Sequence, residues 1–128
     1  MGPTINSTAR AVFTDLDGTL LDAHQQLALV NRETLERLGK DKIWRIVVTG
    51  RSLFSARRVL DPYFPIDVLV TSSGAGIFSF PGEQMLHSAM MEEPYVQRSA
   101  ALLKQLALDF MIHAPLPDNH FFKWHKSG

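Results

Sequence analysis

Asp15-Leu16-Asp17-Gly18-Thr19-Leu20 follows directly on Ala11-Val12-Phe13-Thr14. Two carboxylates two residues apart therefore stand where a buried apolar strand is expected to open into a turn. Residues i and i+2 leave a strand on the same side, so Asp15 and Asp17 can face one bound phosphate and one cation. The pattern suits phosphoryl transfer. A carboxylate attacks phosphorus well only when a cation screens it from the phosphate's own charge, and a second carboxylate can then move the leaving-group proton. Gly18 and Thr19 turn the chain. A calcium loop of the EF-hand kind also begins Asp-x-Asp, but it needs glycine sixth and glutamate twelfth. Here glycine is fourth and the twelfth residue is Gln26, so calcium is not expected.

Downstream, the order strand, helix, strand, helix, strand predicts a Rossmann-like α/β fold, a parallel sheet with helical crossovers. Ala11 to Thr14 is the first strand. Asn31 to Gly39 reads as a crossover helix capped by Asn31, with Leu35 and Leu38 at helical spacing and Leu27 and Leu29 in the loop before it. Ile43 to Val48 is apolar at nearly every position, as expected of a strand covered on both faces. Ser52 caps a second helix carrying Leu53, Ala56, Val59 and Leu60, which Pro62 ends. Val68-Leu69-Val70 is the third strand. Ligands of open parallel sheets gather beyond the carboxyl ends of the strands, which is where Asp15, Asp17, Thr49 and Ser72 fall. Thr49, followed by Gly50 and a helix start, fits either a phosphate cradle or a simple helix cap. Arg51 adds charge at the phosphate or merely solvates the helix start. Ser73 and Gly74 shape a turn.

Composition narrows the function classes. Thirteen basic residues balance thirteen acidic ones, which leaves no global field to draw the chain onto nucleic acid or an anionic membrane. The 45 % hydrophobic content suffices for a real interior in 128 residues. Cysteine is absent, so disulfides, thiolate metal sites and thiol nucleophiles are excluded, and a reducing cytoplasmic setting is expected. No apolar stretch approaches the roughly 20 residues of a membrane helix, and residues 1–10 read as a polar leader whose Asn6-Ser7-Thr8 sequon is incidental.

The hexapeptide at Asp15 resembles motif one of the haloacid dehalogenase superfamily. Ile46-Val47-Val48-Thr49-Gly50-Arg51 resembles its second motif in the Thr-Gly-Arg form of the Cof-type sugar-phosphatase branch. Thr71-Ser72-Ser73-Gly74-Ala75-Gly76-Ile77 resembles the Asn-Gly-Ala segment that closes the core there, with Ser73 in place of the usual asparagine. The likeness covers residues 10–80 well and the rest loosely. It implies a magnesium-dependent phosphatase acting on a small phosphorylated metabolite such as a sugar phosphate. Asp15 would form an aspartyl-phosphate, and Asp17 would protonate the leaving oxygen and then activate water. Thr49, with Gly50 and Arg51, would hold the phosphoryl group. The Asp15 carboxylate and the backbone carbonyl of Asp17 would hold Mg2+. A phosphomutase is a variant of the same expectation.

Residues 11–79 are therefore expected to form the N-terminal portion of the core, and residues 80–128 part of a C2-type α+β cap. A hairpin is predicted from Phe78-Ser79-Phe80, the Pro81-Gly82 turn and Met85-Leu86-His87, then an amphipathic helix over Pro94 to Leu108. Strands follow at Phe110-Met111-Ile112 and Phe121 to Trp124. His113, His120 and His125 share no fixed spacing, so surface or substrate-facing positions are expected rather than a metal site. Phe121, Phe122 and Trp124 lack the basic stripe of a base-stacking platform and are expected to pack the cap.

The family's later lysine and last acidic motif are not found. Lys104, Lys123 and Lys126 fall in the cap region, and Asp109 and Asp118 lie outside a Gly-Asp-x-x-Asn context. The chain is thus expected to be a truncated reading of a longer enzyme. Its first strand, central in the family, would then have a bare edge, which predicts a homo-oligomer or domain exchange. A catalytically incomplete phosphate- and Mg-binding module, or an interaction subunit completed by another chain, are the alternative expectations.

Overall fold

The computed structural model describes residues 10–128; the leader expected over residues 1–10 lies outside them except for Arg10. Two sheets and three helices follow one another as β1 (Ala11–Asp15), α1 (Leu29–Lys40), β2 (Trp44–Val48), α2 (Leu53–Ala56), β3 (Val68–Thr71), β4 (Gly76–Ser79), β5 (Met85–Ser88), α3 (Glu93–Gln105), β6 (Phe110–His113) and β7 (Phe122–His125). A 3-10 turn, Ser72–Gly74, links β3 to β4.

The five-stranded sheet runs β1-β2-β3-β4-β5, parallel through the first three strands and antiparallel from β3 onward. It is thus a mixed sheet, not an all-parallel one. The reason is local: the turn at residues 72–74 is too short for a helical crossover, which needs a dozen residues or more, so β4 can only return alongside β3. The hairpin expected at the start of the cap is the continuation of this sheet, with Phe78 opposite both Leu69 and Met85. A division at residues 79 and 80 therefore falls within hydrogen-bonded sheet.

One face of the sheet makes the core. Val47, Leu69 and Phe78, each at most 2 % exposed, meet Leu35 of α1, Leu53 and Ala56 of α2, and Leu16, Leu20 and Leu21 from the loop after β1. Each such aliphatic or aromatic side chain contributes about 1.5–3 kcal/mol on burial. The opposite face is open where β1 and β2 lie: Phe13 is 65 % exposed and Trp44 54 %. The buried, two-sided strands expected at 11–14 and 43–48 are corrected on this point. Their apolar runs supply side chains for a second layer, and no such layer exists among the described residues.

Helix α1 starts two residues earlier than expected. Its N-cap is Ala28, which offers no side-chain bond, and Leu29 is helical. Asn31 does not cap; its amide donates to the Leu20 carbonyl and ties the helix to the loop after β1. Gly39 does not end the helix either. It lies within the last turn, where a Cβ would sit 2.6 Å from Nη1 of Arg45, so glycine makes room for that guanidinium. Arg45 in turn donates from its backbone N, Nε and Nη2 to Asp67 at 2.6–2.9 Å, pinning β2 to the entry of β3. Helix α2 is short, although its hydrogen bonds continue as turns to Leu60, and Ser52 caps it by accepting from the Ser55 amide.

Helix α3 lies beside the two-stranded sheet of β6 and β7, whose antiparallel register pairs Phe110 with His125 and His113 with Phe122. Glu93 and Pro94 open α3, as fits a first turn that has no use for the proline's missing N–H. Among the described residues, no helix is long and apolar enough to cross a membrane.

Candidate active site

Register places the site. Asp15 pairs with Val48 and Val48 with Val70, so the carboxyl ends of the three parallel strands are level, and Leu16, Thr49 and Ser72 begin the loops on one edge. A cleft of about 480 Å³ opens there, lined by Phe13, Thr14, Asp15, Val48, Thr49, Gly50 and Ser73. Asp15 is exposed at its mouth. Its Oδ1 accepts from the Leu16 amide at 2.7 Å, which orients the carboxylate, and no hydrogen bond engages Oδ2 among the described residues. Such a carboxylate is free to act as a nucleophile or as a hard oxygen ligand.

Thr49 is buried, 4 % exposed, and its hydroxyl accepts from the Arg51 amide at 3.1 Å. It lines the cleft that holds Asp15 and bonds the next turn, while the cap of α2 is Ser52 and not Thr49. The helix-dipole support for an anion here is weak, since α2 has only four residues. Gly50 lines the same cleft.

Asp17 and Arg51 are brought together elsewhere. Nε and Nη2 of Arg51 donate to the two oxygens of Asp17 at 2.8 and 2.7 Å, while Nη1 donates to the carbonyl and hydroxyl of Ser55. The Arg51 hydrogen bonds hold the Asp17 carboxyl below its usual range, and the same bonds raise Arg51. Neither Asp17 nor Arg51 lines the cleft around Asp15, and the guanidinium of Arg51 is bonded to the Asp17 carboxylate. The i, i+2 rule fails because the strand ends at Asp15: Leu16 turns inward and is fully buried, and the chain curls through Gly18 at φ 73°. Among the described residues, no three His, Cys, Asp or Glu side chains cluster.

Asn119, not singled out from the sequence, reaches the same edge. Ser72 does not join Asp15. It lies in an adjoining cleft of about 620 Å³ with Ser73, Phe54, Asn119 and His120, and Ser73 and Gly50 line both clefts. Asn119 Nδ2 donates to the Ser72 hydroxyl at 2.7 Å across 47 residues of sequence. Its short segment between two prolines and an aromatic run carries no local signal for such a contact.

A family model described as haloacid dehalogenase-like hydrolase matches residues 12–122. The chain belongs to that family. Phosphatase YwpJ of Bacillus subtilis is 29 % identical to it over 84 residues, 66 % of this chain and 29 % of YwpJ. The 5-amino-6-(5-phospho-D-ribitylamino)uracil phosphatase YwtE of the same organism is 26 % identical over 84 residues, 66 % of this chain and 28 % of YwtE. The solved structure of a haloacid dehalogenase-like hydrolase from B. subtilis superposes with a TM-score of 0.65 at 25 % identity, covering 80 % of this chain and 35 % of its own. The match thus spans less than a third of the length of these two curated relatives.

Proposed function

We propose that this family member works as a phosphatase on a small phosphorylated metabolite, with Asp15 as nucleophile. The observation that carries the reading is the exposed Asp15 carboxylate at a strand end, oriented by the Leu16 amide in a cleft shared with Thr49 and Gly50. An Asp15 oxygen attacks phosphorus, the bond from phosphorus to the ester oxygen breaks, and the leaving oxygen takes up a proton. Water then attacks the phosphorus of the aspartyl-phosphate, gives its proton to Asp17, and releases phosphate and Asp15. Paired with Arg51, Asp17 is ionised and ready for the second step; protonating the leaving oxygen requires that it first acquire a proton.

The donor set suits Mg2+, which binds through one or two carboxylates and keeps waters and phosphate oxygens as its other ligands. The Asp15 carboxylate and the Asp17 carbonyl would hold it, and when bound it would screen Asp15 from the phosphate charge. The names of the curated relatives support the phosphatase reading, and a sugar phosphate is the substrate class we favour. We assign the protein to the cytoplasm, in keeping with a sequence free of cysteine.

The test is Mg-dependent phosphate release from a panel of sugar phosphates and an aryl phosphate, with Asp15→Asn in parallel. Turnover that vanishes in the mutant is expected. Turnover that survives Asp15→Asn would remove Asp15 from the mechanism. A second reading, a phosphate-binding module without turnover, is favoured by the lack of a third acidic group near Asp15 among the described residues; binding of phosphate without its release from esters would select it.

A further inference from the structure

The adjoining cleft has a chemistry of its own. Among the described residues, none of those lining it is Lys, Arg, Asp or Glu; its walls are serine hydroxyls, the Gly50 backbone, aromatic rings, Asn119 and two histidines. Arg51, next in sequence to Gly50, is committed to Asp17 and Ser55, and Arg58 lies over the Phe54 ring. His120 stacks flat on Phe54, centroids 4.3 Å apart and planes 9° from parallel, and the Phe121 ring lies tilted against it at 4.1 Å.

Two polar atoms in this wall lack partners among the described residues: Asn119 Oδ1 and His120 Nδ1, both buried. An unpaired buried polar atom costs about 1–3 kcal/mol, so such atoms ordinarily have partners. Turning the Asn119 amide over does not help, because one end bonds Ser72 and the other is then left alone. A group able both to donate and to accept satisfies either arrangement, and a hydroxyl is such a group.

We propose that Asn119 and His120, on the loop between β6 and β7, are specificity-determining residues that read an uncharged, hydroxyl-bearing leaving group and reject one carrying a second anion. The inference rests on Asp15 being the nucleophile, since Gly50 and Ser73 line both clefts and place this one where the far side of a phosphate ester would lie. Hydroxyls would complete Asn119 and His120. A second phosphate would enter walls with no lysine or arginine to offset its desolvation.

The test compares fructose 6-phosphate, fructose 1,6-bisphosphate and phenyl phosphate on the wild-type protein, Asn119→Ala and His120→Ala, with near-UV circular dichroism as the check of fold. Wild type should favour the monophosphate over the bisphosphate by about tenfold or more in kcat/KM. Asn119→Ala should lose about tenfold on fructose 6-phosphate while phenyl phosphate, which has no hydroxyl to read, changes less than about twofold. Equal losses on both esters, or equal use of mono- and bisphosphate, would overturn the proposal. Where no ester is turned over, calorimetric binding decides the matter separately. Fructose 6-phosphate should bind more tightly than inorganic phosphate, and Asn119→Ala should close that gap. Absence of the gap defeats the leaving-group site, whereas absence of turnover defeats only the phosphatase reading. For a misfolded Asn119→Ala, Asn119→Asp serves instead: it keeps the side-chain shape, and should weaken the bisphosphate further than the monophosphate.

Discussion

The guanidinium of Arg51 closes a two-bond fork on the carboxylate of Asp17, Nε to Oδ2 at 2.8 Å and Nη2 to Oδ1 at 2.7 Å. A fork of this kind fixes direction as well as charge. It keeps Asp17 ionised at the edge of the site. Asp15, two residues earlier, has no charged partner among the described residues.

Arg51→Gln is expected to free Asp17 on both counts. The Asp17 pKa, held down chiefly by the Arg51 hydrogen bonds, should return upward toward its usual 3.8. If Asp17 takes the proton from water, the acid limb of kcat against pH moves to higher pH, and kcat falls by up to about 100-fold, the lower end of what a positioned acid–base group contributes. A pH–rate profile of the mutant superimposable on that of the wild type would show that Arg51 is only a structural brace.

A second fork, between Arg45 and Asp67, is less exposed and serves the sheet. Hydrogen bonds from Arg45 lower the pKa of Asp67 below 3.8. A group whose folded pKa is depressed contributes stability that is complete above its unfolded pKa and lost as pH falls through the folded value. Asp67→Asn should therefore cost about 1.5–3 kcal/mol at neutral pH and flatten the acid side of the stability curve below about pH 4. Urea unfolding across that range checks both; parallel curves for mutant and wild type would defeat the linkage.

The three parallel strands were legible in the sequence, because apolar runs at 11–14, 43–48 and 68–70 separated by helical spacing leave few other folds, whereas the antiparallel continuation through β4 and β5 was read as the start of a cap. Asp15, Thr49 and Gly50 were legible as neighbours for the same reason: strand order brings their ends level. Arg51 was legible as a functional position but not as the partner of Asp17, since that contact spans 34 residues and depends on how the loop after β1 curls. Ser73 adopts φ 54° and ψ 35°, a left-handed geometry in which asparagine is enriched over most residues, which explains how one can stand in for the other only at some strain. Asn119 was invisible because nothing local links residue 119 to residue 72, whereas His120 was legible only as a surface or substrate-facing histidine.

Gly76 carries a close-packing constraint at the base of the same turn. A Cβ there would lie 2.7 Å from the Phe78 ring and 2.9 Å from the Thr71 hydroxyl, both buried, and 3.2 Å from Leu116. Gly76→Ala should destabilise by about 1–3 kcal/mol, the cost of forcing one extra methyl into a packed core. A thermal midpoint lowered by at least about 4 °C is expected; a midpoint equal to or above that of the wild type would mean the neighbours yield without cost.

Strand β1 is the edge of its sheet among the described residues, and the face beside it is open, with Phe13 65 % exposed. Free N–H and C=O groups along an apolar edge invite pairing with another strand, and natural edges are commonly blunted with charge, especially lysine. None of Ala11, Val12, Phe13 and Thr14 is charged. The 128-residue chain is therefore expected to associate at micromolar concentration, and Phe13→Lys to shift it toward monomer. Light scattering over a hundredfold dilution reads the equilibrium directly. A wild-type chain monomeric throughout would show the edge protected by its own twist or by the leader, and a mutant as associated as the wild type would move the interface to the exposed apolar side chains of β6, β7 and α3.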